Sequence, residues 1–230
     1  MTRTIIHLMR HGEVYNPDGI LYGRRPGFHL SELGEQMAER VGQVLSSGQH
    51  DITFVGASPL ERAQESAAPT ARAMQVPVHT FAGLIEADND FEGMEVNSNR
   101  AALAHPRFWW RYRNPLEPSW GEPYRSQVDR MIGVIKAALG RAYGHEALLV
   151  SHQLPIWVTR LFLERRPLAH DPRNRQCSLA SLTSLTFDDR RLVGLAYWEP
   201  AGDLLLQAAD MVPGTSAARV AGAEETEVER

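Results

Sequence analysis

The sequence predicts an α/β protein, a three-layer α/β/α sandwich with a mainly parallel sheet, helices on both faces and a small loop and helical cap. Three observations carry this expectation. Short apolar runs that read as buried strands alternate with stretches of helical periodicity. The order strand, turn, helix repeats along the chain. One long segment, 81–124, breaks the rhythm and therefore reads as an insertion.

The elements follow in order. Thr4 to Met9 is rich in Ile and Leu and runs straight into Arg10-His11-Gly12, a buried strand ending in a tight loop that glycine permits. Ser31 reads as an N-cap, and Leu33, Met37, Val41, Val44 and Leu45 then place an apolar stripe along a helix. Ile52 to Ala57 is a second strand, after which Ser58-Pro59 is expected to open a helix with proline in its first turn. Val76 to Thr80 is a short strand, and Pro77 demotes it to an edge. The insertion carries Trp109, Trp110 and Trp120 among its prolines and glycines. Val128, Ile132, Ile135 and Leu139 restore helical spacing, Ala147 to Ser151 is another strand, and a helix containing Pro155 follows. Leu182 to Phe187 and Leu192 to Trp198 flank Asp188–Arg191 as a hairpin.

At 230 residues the chain suits one α/β domain with an insertion better than two domains. The domain is expected over 1–211 with its cap over about 81–124. The segment 212–230 has too little bulky apolar matter to pack and is expected to be a disordered tail. Hydrophobic residues at 43% and charged residues at 23% describe an ordinary globular protein. A formal net charge of -4 offers no overall basic field, so nucleic acid is not an expected partner. The lone Cys177 fits a reducing cytoplasm and cannot build a thiolate metal site. The N-terminal apolar run is too short for a signal segment, no long apolar stretch follows, and neither export nor a membrane anchor is expected. A homodimer is compatible with the sequence.

Chemistry-bearing residues gather at predicted strand ends, which face the crevice where ligands bind in open α/β sheets. Arg10 and His11 end the first strand, Arg62 follows the second, and Ser151-His152 ends a later one. Each residue alone has a bland reading: Arg62 as a surface ion pair, His152 as a cap on the sheet. Their convergence on one sheet edge favours a shared anion site.

The ordered set RHG, SPLxRA, LxE and SH resembles the histidine phosphatase, or phosphoglycerate mutase-like, superfamily over roughly residues 4 to 200. By that resemblance His11 is the nucleophile, Arg10 and Arg62 bind phosphate oxygens, His152 completes the phosphate pocket, and Glu86 donates the proton. Asn16, Tyr22 and Gln153 are the implied further phosphate or substrate contacts. Asn16 stands one residue nearer His11 than is usual, Gln153 stands where glycine is common, and the usual Gly-Glu-Ser reads Gly121-Glu122-Pro123. The chemistry suits these residue types, because fixed cations stabilise a transferring phosphoryl group and a neutral imidazole can attack phosphorus.

The reading is thus a metal-independent phosphomonoesterase acting on a small phosphorylated metabolite through a phosphohistidine on His11, with no cofactor and no metal. Its rivals are a cofactor-dependent phosphoglycerate mutase and a non-catalytic phospholigand-binding module on the same fold. The sequence around Glu86 lacks the mutase's tyrosine-containing motif, and retention of His11 and Glu86 counts against the binding module. Arg24, Arg25, Arg107, Arg111 and Arg113 are the candidates for selecting the substrate. Two metal motifs are decoys. Asp88, Asp90, Glu92 and Gly93 imitate a calcium loop whose last coordinating position falls on Asn99, and His7 and His11 lie too far apart on a strand rising ~3.3 Å per residue.

Overall fold

The apolar run after Thr2 forms a strand buried on both faces, β1 (Arg3–Arg10), at the middle of the computed structural model, which describes residues 2–94 and 121–209. The other strands are β2 (Ile52–Ala57), β3 (Val78–Thr80), β4 (Glu146–Ser151), β5 (Leu182–Asp188) and β6 (Arg191–Trp198). They form one six-stranded sheet in the order β3-β2-β4-β1-β5-β6. β1 pairs in parallel with β4, and β2 with both β3 and β4, while β5 runs antiparallel to β1 and β6. The sheet is therefore mainly parallel, with the expected hairpin closing one edge.

Alternation along the strands divides the core between two faces. Met9, Val55, Leu148 and Val150 point to a face covered by α1 (Glu32–Ser46) and α2 (Glu61–Met74), meeting Met37, Val41, Leu45, Ala63 and Ala67. Ile6, Leu8, Phe54, Ala147 and Leu149 point the other way, against Met131, Ile135 and Ala138 of α3 (Tyr124–Arg141) and Ile156 of α4 (Gln153–Leu163). Each fully buried Leu or Ile contributes about 1.5–3 kcal/mol of transfer free energy. Ser31 caps α1 as expected, its side chain accepting from the Gly34 N–H.

The start of α2 differs from expectation. The helix begins at Glu61 with Leu60 as N-cap, so Pro59 lies ahead of it. The reason lies in the sheet: the Ser58 N–H bonds the Val150 carbonyl at 2.9 Å, which ties Ser58 to β4 and delays the helix.

Of the insertion, the ends are described. A 3-10 turn at Ala82–Leu84 leads to Asn89, which forms an antiparallel bridge with Gly121. Arg130 of α3 clamps this base, donating to the Gly83 carbonyl at 2.7 Å and to both oxygens of Glu122. The Trp-rich part of the expected cap, with Arg107, Arg111 and Arg113, and the expected tail at 212–230 lie outside the described residues. Toward the N-terminal ends of the parallel strands, His7 Nε2 and His50 Nδ1 share one oxygen of Glu146 at 2.8 and 2.9 Å. Ser184 Oγ fixes the other nitrogen of His7 at 2.7 Å, so hydrogen bonds account for this cluster. No helix among the described residues is long and apolar enough to cross a membrane.

Candidate active site

β2, β4 and β1 are neighbours, so their C-terminal ends deliver side chains within a few ångströms of one another. The loop after β1 is fixed by its backbone: the His11 N–H bonds the Ser151 carbonyl at 3.2 Å, and the Ala180 N–H bonds the His11 carbonyl at 3.2 Å. The Gly12 N–H donates to Ser66 Oγ at 3.0 Å, and that hydroxyl donates to the Arg62 carbonyl, tying the loop to α2. Glycine at positions 12 and 34 allows the loop to lie against the start of α1. A Cβ on Gly12 would stand 2.6 Å from the Gly34 carbonyl oxygen, and one on Gly34 would stand 2.0 Å from that of Glu13.

His11 and His152 sit edge to face with ring centroids 5.2 Å apart, and both are buried. His11 Nδ1 donates to the Gly12 carbonyl at 2.7 Å, which leaves the lone pair on Nε2. Burial, then Arg62 and Arg10, push the His11 imidazole well below its ordinary pKa, so the ring is neutral. Burial, Arg62 and His11 do the same to His152. His152 Nε2 meets Ser58 Oγ at 2.8 Å, while its buried Nδ1 has no hydrogen-bond partner among the described residues.

Arg62 has no exposed surface. Its Nη2 donates to the Gly23 carbonyl at 2.6 Å and its guanidinium lies 4.6 Å from the Tyr22 ring centre. Nε and Nη1 are buried without partners among the described residues. Such donors are costly to leave unmade, and an oxyanion would satisfy them. Arg10 is buried beside them, donating through Nη1 to the Cys177 carbonyl at 2.8 Å. Burial raises the Glu86 carboxyl above its ordinary value, against opposing effects from the Ala87 N–H and from Arg62, Arg130 and Arg10. The resulting arrangement combines cations, a neutral imidazole lone pair and an acid biased toward its protonated form.

A cleft of roughly 130 Å³ opens over these groups, with Arg10, His11, Tyr22, Glu86 and Gln153 among its walls. Arg62 and His152 are fully buried next to these walls, Arg62 against the Tyr22 ring and His152 against the His11 ring. Asn16 is not among the walls: its amide exchanges two hydrogen bonds with the Ile20 backbone, at 2.8 and 3.0 Å, and so braces its own loop. Arg24 turns to scaffolding, donating to the Glu86 carbonyl at 2.7 Å and pairing with Glu122. Arg25 is exposed beside Gly93. Sequence reasoning missed Arg175, which lines the cleft, and Ser58 and Ser66, which orient its parts. The one available signal for Arg175 was its place just before the apolar entry to β5.

Buried cations and imidazoles gathered at the ends of parallel strands stand where open α/β folds place their ligand sites. A model of the histidine phosphatase superfamily (branch 1) matches residues 6–199, and the chain belongs to that superfamily. It is 52% identical over 198 residues to protein Rv0525 of Mycobacterium tuberculosis, covering 86% of this chain and 97% of that one. It is 29% identical over 152 residues to phosphoserine phosphatase 1 of Hydrogenobacter thermophilus, covering 65% and 71%. Among solved structures, the mycobacterial glucosyl-3-phosphoglycerate phosphatase Rv2419c aligns with a TM-score of 0.68 at 23% identity, covering 86% of this chain and 99% of that one, a likeness of fold.

Proposed function

We propose that the protein is a metal-independent phosphomonoesterase that passes the phosphoryl group of a small metabolite through His11. The observation that carries this reading is His11 itself, neutral, pinned at Nδ1, with its Nε2 lone pair beside two buried arginines. The lone pair attacks phosphorus as the ester P–O bond breaks, and the leaving alkoxide takes the proton of Glu86. Water then attacks the phosphohistidine and loses a proton to the Glu86 carboxylate. The P–N bond breaks, and its electron pair returns to Nε2.

Arg62, through Nε and Nη1, and Arg10 supply positive charge for the equatorial oxygens. In the tautomer in which Ser58 Oγ donates to Nε2 of His152, the proton of that ring sits on Nδ1 and is available to another oxygen. Tyr22 and Gln153 line the approach to the phosphate, and the named activities of the relatives fit a small phosphorylated metabolite as substrate.

The test is rapid quenching during turnover of a radiolabelled phosphate ester, under alkaline conditions that preserve phosphohistidine. Label is expected on the peptide containing His11 and is expected to vanish in His11→Ala. Label on another residue, or activity sensitive to EDTA without an adduct, would refute the mechanism. A mutase assay on phosphoglycerate run beside it separates transfer to water from transfer to a second hydroxyl.

A further inference from the structure

Arg175 lies between α4 and β5 and reaches the cleft beside Arg10 and Gln153. It is held in place by several contacts. Its Nε donates to His170 Nε2 at 2.8 Å, and His170 Nδ1 donates to the Leu168 carbonyl at 2.7 Å, so the accepting nitrogen carries the lone pair. Burial lowers the His170 pKa, Arg175 lowers it further, and the ring stays neutral against the opposing effect of the Leu168 bond. Tyr124 and Trp157 pack around that ring at centroid distances of 5.5 and 6.2 Å. Nη1 adds a long hydrogen bond of 3.4 Å to Gln153 Oε1.

The missing piece is a counter-charge. Arg24, Arg130 and Arg160 each pair with a carboxylate, and Arg173, two residues earlier, faces solvent and pairs with Asp171. Arg175 makes no ion pair among the described residues. Burial disfavours its charge, against the favourable effects of Tyr124, Glu86 and Cys177, and Arg10 adds a smaller repulsion. Glu86 acts on it from within the site, but burial biases that carboxyl toward the neutral form. A guanidinium fork this firmly oriented, facing a cleft and paired with none of the carboxylates on its walls (Glu86, Asp88 and Glu122, the last already held by Arg24 and Arg130), matches an anionic group that arrives with the ligand.

We propose that Arg175 forms a second anion subsite, so that the preferred phosphate ester carries a further anionic group, a carboxylate or a second phosphate. The proposal rests on the phosphatase reading and narrows its substrate class. Gln153 and His170 are positioning residues for this subsite.

The experiment compares 3-phosphoglycerate, glycerol 1,3-bisphosphate and glycerol 3-phosphate, three small esters that share the C2 hydroxyl and differ in the second group. Wild type should prefer one of the anionic pair over glycerol 3-phosphate by about 10- to 100-fold in kcat/KM, the worth of a charge-assisted bond. Arg175→Gln should collapse that ratio, chiefly through KM, and Arg175→Lys should retain part of it. His170→Phe, which removes the accepting nitrogen, should move the ratio the same way. The anionic ester that wins identifies the group. Equal rates for all three esters with wild type, or an Arg175→Gln loss shared equally by all, overturns the subsite and assigns Arg175 to the transferred phosphate or to folding. Calorimetric titration with the same esters separates the two readings. Tighter binding of an anionic ester, lost in Arg175→Gln, upholds the subsite even if no ester is hydrolysed, a result that would instead sink the phosphatase reading.

Discussion

Replacing Arg62 by methionine should cost the protein its chemistry while leaving its fold nearly unharmed. In the transition state, Nε and Nη1 of Arg62 would each make a charge-assisted hydrogen bond to the phosphoryl group. At about 1.5–3 kcal/mol each, the pair is worth about 3–6 kcal/mol. That predicts a fall in kcat/KM of about 160- to 25,000-fold. Stability obeys different arithmetic. The variant loses the bond to the Gly23 carbonyl, about 1–3 kcal/mol, and the contact with the Tyr22 ring, about 0.5–2 kcal/mol. It also relieves a cation that is fully buried with unmatched donors, a cost of several kcal/mol. These terms offset, so unfolding free energy should stay within about 2 kcal/mol of wild type, about 4–8 °C in Tm for a chain of this size. Calorimetric melts with and without inorganic phosphate read all of this. Saturating phosphate at about 100 times its Kd should stabilise the wild type by about 2.7 kcal/mol and the variant by far less. A variant that melts much earlier yet keeps the full phosphate response would show that Arg62 is a structural ion and not a phosphate ligand.

Glu86→Gln should slow alkyl phosphates far more than aryl phosphates, whose leaving groups need little protonation; comparable losses in kcat/KM for both classes would remove Glu86 as the acid. Because burial raises its pKa, wild-type turnover should decline on the alkaline side as Glu86 loses its proton, and that limb should disappear from the pH profile of the variant. Two glycines should respond with opposite signs. Gly34→Ala forces a Cβ to within 2.0 Å of the Glu13 carbonyl and should destabilise by about 1–3 kcal/mol while lowering kcat, since the displaced loop carries His11. Gly133→Ala, on an open face of α3, should stabilise by about 0.5–1 kcal/mol with kcat unchanged, as urea melts and steady-state rates will show.

The positions of Arg10, His11, Arg62 and His152 were legible because an apolar run followed by a polar break marks a strand end, and strand ends in α/β sheets converge. The hairpin of β5 and β6 was legible from its two runs and its charged turn. The start of α2 was not: proline favours the first helical turn, but the bond from Ser58 to Val150 is a tertiary contact that outweighs this local preference. Arg175 was hidden for a related reason. In the sequence it stands with Arg173 as a short basic cluster, and only the fold turns one outward to Asp171 and the other inward to His170. Asn16, expected as a ligand contact from its place near His11, also exchanges two hydrogen bonds with the Ile20 backbone, a local tie that spacing alone does not reveal. Pro123 could be named as a departure from the Gly-Glu-Ser pattern, yet the tie of the preceding Glu122 to Arg24 and Arg130 depends on an approach that spacing does not encode.

The bridge between Asn89 and Gly121, fastened by Arg130, has a consequence for how this protein can diversify. The bridge lies outside the six-stranded sheet and brings residues 89 and 121 together, so the segment between them is closed at its base. Lengthening such a segment costs only about 0.6 kcal/mol per doubling in closure entropy. Among the described residues, the bonds that set the strand register and hold the His11 loop come from the sheet, α2 and the loop before β5. Exchanging the bridged segment wholesale between relatives, with the base residues Asn89, Gly121, Glu122 and Arg130 kept, is therefore a route by which recognition can change while the phosphoryl chemistry is inherited intact.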